Sequence, residues 1–140
     1  MIVVDSSVAL QWVVPEDGSS RAEQLLGRTD LVAADIILIE VANVLGKKVR
    51  AGDMTGAEAA QRLQFVRDSI PRLDLTLPLI DRALELSVEL SHGIYDCTFL
   101  ACALSLNTFV VSRDAPFINR AGQRGYGERV REFPPEGIGE

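Results

Sequence analysis

The chain has 140 residues, 47% of them hydrophobic and 24% charged, with a mean hydropathy of +0.15. Such a length and balance exclude a disordered chain and fit one folded domain with its own core. The net charge of −6 and pI near 4.8 disfavour a nonspecific nucleic-acid binder, unless the negative charge gathers in one pocket that a cation neutralises.

The first element, IVV, reads as a short buried strand that ends on a carboxylate, Asp5. A buried unpaired charge is costly, so Asp5 calls for a local hydrogen-bonding role, a positive partner, or both. SVALQWVV predicts a helix stopped by PEDG, and SSRAEQLLG a second helix with a serine cap and a glycine stop. LVAA predicts a strand leading into a helix from about Ile36 to Arg50, with Asp35 as its N-cap and KKVRAG marking its end. TGAEAAQRLQFVRDSI is helical, with an apolar stripe of Leu63, Val66 and Ile70. RLDLT follows as a strand, and LPLIDRALELSVELS as an amphipathic helix with Leu79, Ala83, Leu86 and Leu90 on one face. After an HG break, YDCTFLACALSL reads as a largely buried helix and TFVVS as a strand. RDAPF reads as a turn, and FPPEGIGE as a loose tail.

Strands alternating with helices predict an α/β fold on a mostly parallel central sheet, with one domain over residues 1–133 and a tail over 134–140. No basic segment precedes the apolar start, and no stretch approaches the roughly 20 apolar residues of a membrane helix. A cytoplasmic protein with no membrane association is expected.

Cys97 and Cys102 lie five apart in a predicted helix, about 140° around its axis, so they do not pair and read as core thiols. The one histidine, His92, reads as a helix-end residue and cannot build a zinc site with them. Any bound metal is therefore expected to be a hard, oxygen-liganded ion such as Mg²⁺ or Mn²⁺. Asp5 and Asp114 follow strands, at the end of a parallel sheet where ligands bind. Taken singly, Asp5 and Asp96 could cap helices, Asp114 could sit in a turn or cap, and Glu40 could form a structural ion pair inside its apolar helix. Gathered at one site, unpaired carboxylates repel, and a divalent cation turns them into ligands.

VVDSS, IEVANVL, YDCTFLACAL and VVSRDAPF, in this order, resemble the acidic pattern of PIN-domain ribonucleases, in particular VapC-type toxins of toxin–antitoxin pairs. Asp5 with Ser6 matches the strand-end Asp followed by Ser or Thr, and Glu40 with Asn43 the helical Glu. Asp96 with Phe99, Leu100, Ala101 and Ala103 matches the third motif, and Asp114 the fourth. Ser112 replaces a threonine, and Pro116 stands where some relatives carry a further acid. The resemblance implies a three-layer α/β/α PIN-like fold and RNA hydrolysis. It makes Asp5, Glu40, Asp96 and Asp114 catalytic and metal-binding, with Mg²⁺ or Mn²⁺ as cofactor. Ser6 and Ser112 would orient ligands or bound water, and the protein would dimerise and pair with a VapB-type antitoxin. Lys47, Lys48, Arg50 and Arg113, with Arg67 and Arg120, form the candidate RNA-contact set. Trp12 is expected to pack in the core or a subunit interface. A PIN nuclease of RNA processing without a toxin role, or a silent protein-binding module whose acids are caps and ion pairs, are the alternatives.

Overall fold

Ile2–Val4 (β1), Leu31–Ala34 (β2), Arg72–Asp74 (β3), Val110–Ser112 (β4) and Val130–Glu132 (β5) form one sheet in the order β3-β2-β1-β4-β5. Every neighbouring pair is parallel, with Val3 of β1 beside Val32 on one side and Val110 on the other. The computed structural model describes residues 1–14 and 19–133. Parallel strands are covered on both faces, which explains why β1, β2 and β4 are buried at every position and show no polar alternation.

The helices are Ser6–Val13 (α1), Ser19–Ala22 (α2, continued by a 3₁₀ turn at Glu23–Leu25), Ile36–Arg50 (α3), Gly56–Ser69 (α4), Ile80–Leu90 (α5), Ile94–Ser105 (α6) and Ala115–Gln123 (α7). α1, α3 and α4 pack on one another, while α5 packs on α6, which touches β1, β2 and β4. The result is the expected three-layer α/β/α architecture. α6 is buried from Cys97 through Ala103, as a helix without a polar face must be. Both cysteines are buried, and burial pushes their thiols up to about 11 and about 12, so they are core residues. Trp12 is also core, its Nε1 donating to the Ala22 carbonyl at 2.8 Å.

Three local expectations change. Asp35 holds the N-cap position of α3 as expected, but its side chain makes no cap bond: its Oδ1 accepts from the Thr76 N–H and hydroxyl, and Thr76 Oγ1 accepts the Ile36 N–H at 2.9 Å. The cap of α3 thus comes from the far side of β3. RDAPF is the start of a helix, α7, with Pro116 in the first turn, where its missing N–H costs nothing. The chain then adds β5, and Phe133 is buried and donates its N–H to the Ser112 carbonyl at 3.0 Å. The PEDG stop, the tail 134–140 and the serine cap of α2 lie outside the described residues or side chains.

This topology decides where a ligand can go. β1 lies between β2 and β4, so the connections from β1 and β4 leave the sheet in opposite senses and open a crevice at the strands' carboxyl ends.

Candidate active site

β1 and β4 end side by side, and each hands over to a helix through an aspartate. Asp5 is the N-cap of α1: its Oδ1 accepts the Val8 N–H at 3.2 Å and the Ser7 hydroxyl at 2.6 Å. Its other oxygen, Oδ2, is buried with no hydrogen-bond partner among the described residues. Asp114 caps α7 in the same way, Oδ1 accepting the Phe117 N–H at 3.2 Å. Glu40 lies on α3, where Oε2 accepts from Ser6 Oγ at 3.2 Å and Oε1 is buried with no hydrogen-bond partner among the described residues. No ion pair among the described residues involves Glu40, which removes the structural reading of this acid. Asp96 sits in the first turn of α6, whose N-cap is Gly93, so it does not cap its helix.

Burial is the chief perturbation, and mutual repulsion adds to it. Asp5, entirely buried, is pushed up to about 6 by loss of solvent and by the Asp96 charge, against the opposing Ser112 and Ser7 hydroxyls and the Val8 N–H. Glu40 rises to about 7, again through burial first, then through Asp96 and Asp5, with Ser6 opposing. Asp96 is raised by burial and by Asp114, while His92 opposes. All four acids therefore share one electrostatic site. Oxygens with no hydrogen-bond donor among the described residues, in a group of carboxylates that resist ionisation together, could hold a hard divalent cation.

One ligand atom each from His92, Asp96 and Asp114 lie within 4.8 Å of one another. His92 was passed over as a helix-end residue, yet its Nε2 lies 2.5 Å from Asp96 Oδ2. The only sequence signal was its spacing of four from Asp96. Ser7 was missed as well. Besides donating to Asp5, its hydroxyl accepts the Arg113 N–H at 2.9 Å and lies 3.4 Å from Ser112 Oγ, which accepts the Asp114 N–H at 3.0 Å. The doubled serine after Asp5 was its signal.

Of the candidate RNA contacts, Lys48 and Arg113 line one open pocket of about 390 Å³ with Ser7, Leu10 and Gln11. A second pocket, of about 500 Å³, shares Leu10 and Val44 with the first and reaches Ser6, Glu40, Asn43 and Tyr95. Together they form a groove past Glu40. Lys47 and Arg50 are exposed on the last turn of α3 and line neither pocket. Arg67 bonds Gln64 on α4, and Arg120 donates to the Ser91 carbonyl.

The family profile described as PIN domain matches residues 2–123. Over 116 residues the chain is 27% identical to Ribonuclease VapC3 of Pyrobaculum aerophilum, an alignment spanning 81% of this chain and 88% of that protein. The crystal structure of PAE2754, also from Pyrobaculum aerophilum, shares the fold with a TM-score of 0.72 at 21% identity, covering 94% of this chain and 89% of that one.

Proposed function

This chain belongs to the PIN-domain family, and from that premise we propose that it is a divalent-metal-dependent endoribonuclease, the toxin of a VapBC-type toxin–antitoxin pair. The observation that carries the metal site is Asp5 Oδ2: a buried carboxylate oxygen with no hydrogen-bond partner among the described residues, in a carboxylate electrostatically coupled to Asp96 and Glu40. Asp5, Glu40, Asp96 and Asp114 would hold Mg²⁺ or Mn²⁺. Such an ion, when bound, neutralises charge on a phosphodiester and makes water a better nucleophile. Ser6 and Ser7 hold carboxylate oxygens from the protein side, and Ser112 fixes the backbone that presents Asp114. Lys48 and Arg113 supply positive charge along the groove for flanking phosphates. No covalent route competes, because the chain has one histidine and its two thiols are buried and pushed far above neutrality.

RNA as substrate is the activity named for the VapC3 relative. The antitoxin partner, the homodimer and a cytoplasmic location complete the proposal; no helix of the described residues is long and apolar enough to cross a membrane. An acidic pocket of this kind favours inhibition by an arginine, whose planar fork engages two carboxylate oxygens. The test is RNA cleavage with mapped ends. Cleavage is expected with Mg²⁺ or Mn²⁺, is lost in EDTA and in Asp5→Asn, and leaves 5′-phosphate and 3′-hydroxyl ends. Metal-free cleavage, or 2′,3′-cyclic phosphate ends, would overturn the proposal.

A further inference from the structure

We propose that His92 is a positioning residue that donates its Nε2–H to Asp96 and so fixes which oxygen of that carboxylate faces a divalent ion. This role deepens the metal-dependent function proposed above and rests on it.

Phe117 and Asp96 hold the imidazole, and Ser87 holds its backbone. Its ring stacks on Phe117, centroids 5.2 Å apart and planes 17° from parallel, and Phe117 is fully buried. The same Phe117 gives its backbone N–H to Asp114, so one residue supports both the histidine and an acid of the site. The His92 N–H donates to the Ser87 carbonyl at 3.1 Å, and its carbonyl accepts from Ser87 Oγ at 2.5 Å. Ser91, immediately before it, adopts a left-handed backbone at φ 50°, a conformation that costs a non-glycine residue about 1 kcal/mol or more. The Arg120 side chain of α7 holds the Ser91 carbonyl. A strained turn fastened from two helices presents the ring to Asp96.

Hydrogen-bond accounting decides between positioning and direct ligation. Nδ1 is buried and has no partner among the described residues. A proton there would be an unsatisfied buried donor, which costs more than an unused lone pair. The favoured tautomer therefore carries its proton on Nε2, 2.5 Å from Asp96 Oδ2. Ligation through Nε2 would move the proton to Nδ1, where a metal-bound histidine normally has an acceptor and this one has none. Donation to Oδ2 leaves Oδ1 of Asp96 for the ion.

Mn²⁺ binding to the full chain, followed by electron paramagnetic resonance, tests this without an activity readout. His92→Leu is expected to weaken Mn²⁺ binding about 10–100-fold. His92→Gln, whose amide N–H reaches a similar place, is expected to recover most of the loss. Pulsed resonance on wild-type protein should show no directly coordinated nitrogen, and that measurement needs no variant to fold. A coordinated-nitrogen coupling, unchanged affinity in His92→Leu, or a glutamine variant as weak as the leucine one would each overturn the positioning role while leaving the metal site standing. Failure of the wild-type protein to bind Mn²⁺ would overturn the metal-dependent function and this role with it.

Discussion

Replacing Asp5 by asparagine should stabilise the metal-free protein while destroying its function. Burial lifts the Asp5 carboxyl from its ordinary value of 3.8 to about 6. At about 1.4 kcal/mol per tenfold change, ionised Asp5 costs the folded state on the order of 3 kcal/mol. The sign follows from proton linkage. The folded state holds this proton more tightly than the unfolded chain, so stability falls as pH rises from about 4 to about 6 and the full penalty persists above that. Asparagine keeps an oxygen to accept the Val8 N–H and cap α1, and it offers the neighbouring acids an N–H in place of a negative oxygen. In EDTA at pH 8, Asp5→Asn should gain about 1–3 kcal/mol, a rise of about 3–10 °C in Tm. The gain should vanish near pH 4, and should reverse in Mn²⁺ at about 1,000 times its Kd, which stabilises only the wild type by about 4.1 kcal/mol. Thermal and urea unfolding across pH measure all three. A variant that melts below wild type at pH 8 in EDTA, or whose gain is the same at pH 4, would refute the reasoning.

Ser7→Ala removes the 2.6 Å hydrogen bond to Asp5 and the hydroxyl that accepts the Arg113 N–H; urea titration should show a loss of about 1–2 kcal/mol. Thr76→Val removes the cap that α3 borrows. It should cost about 1–2 kcal/mol by the same assay, with RNA cleavage per folded molecule retained. Lys48→Ala and Arg113→Ala should each weaken RNA binding, and each should lower the slope of log affinity against log salt by about 0.7. Filter binding across a salt series reads this directly.

The strands were legible because burial on both faces of a parallel sheet forces apolar runs, and IVV, LVAA and VVS carry little else. α3 was legible to the residue, bounded by an apolar start and the basic turn of Lys47, Lys48 and Arg50. What escaped was set by contacts distant in sequence. Asp35 looks like a cap until Thr76, 41 positions on, takes both its oxygen and its task. His92 acquires a role only through the turn at Ser91 and the ring of Phe117, which the sequence does not place together. β5 has one fully buried position in three, too few for a periodic pattern to register. The four acids could be assigned to the crevice end of the sheet, but which of their oxygens lack donors depended on coordinates.

Capping and metal binding looked like competing accounts of Asp5 and Asp114, and the geometry removes the competition. A carboxylate has two oxygens, and in each of these residues Oδ1 serves a helix N-terminus. In Asp5 that leaves a buried Oδ2 with no hydrogen-bond partner among the described residues. The positive end of a helix dipole is the right support for such an acid, since it favours the charge without occupying the second oxygen. A lysine or arginine would stabilise the carboxylate more strongly and would also fill the place of the proposed cation. Using α1 and α7 as the fixed donors holds the acids in place at the cost of raised proton affinity, which a bound divalent ion reverses. An asparagine at either position keeps the cap and loses the anionic oxygen, so loss of metal binding in a variant that still folds isolates the second oxygen as the functional one.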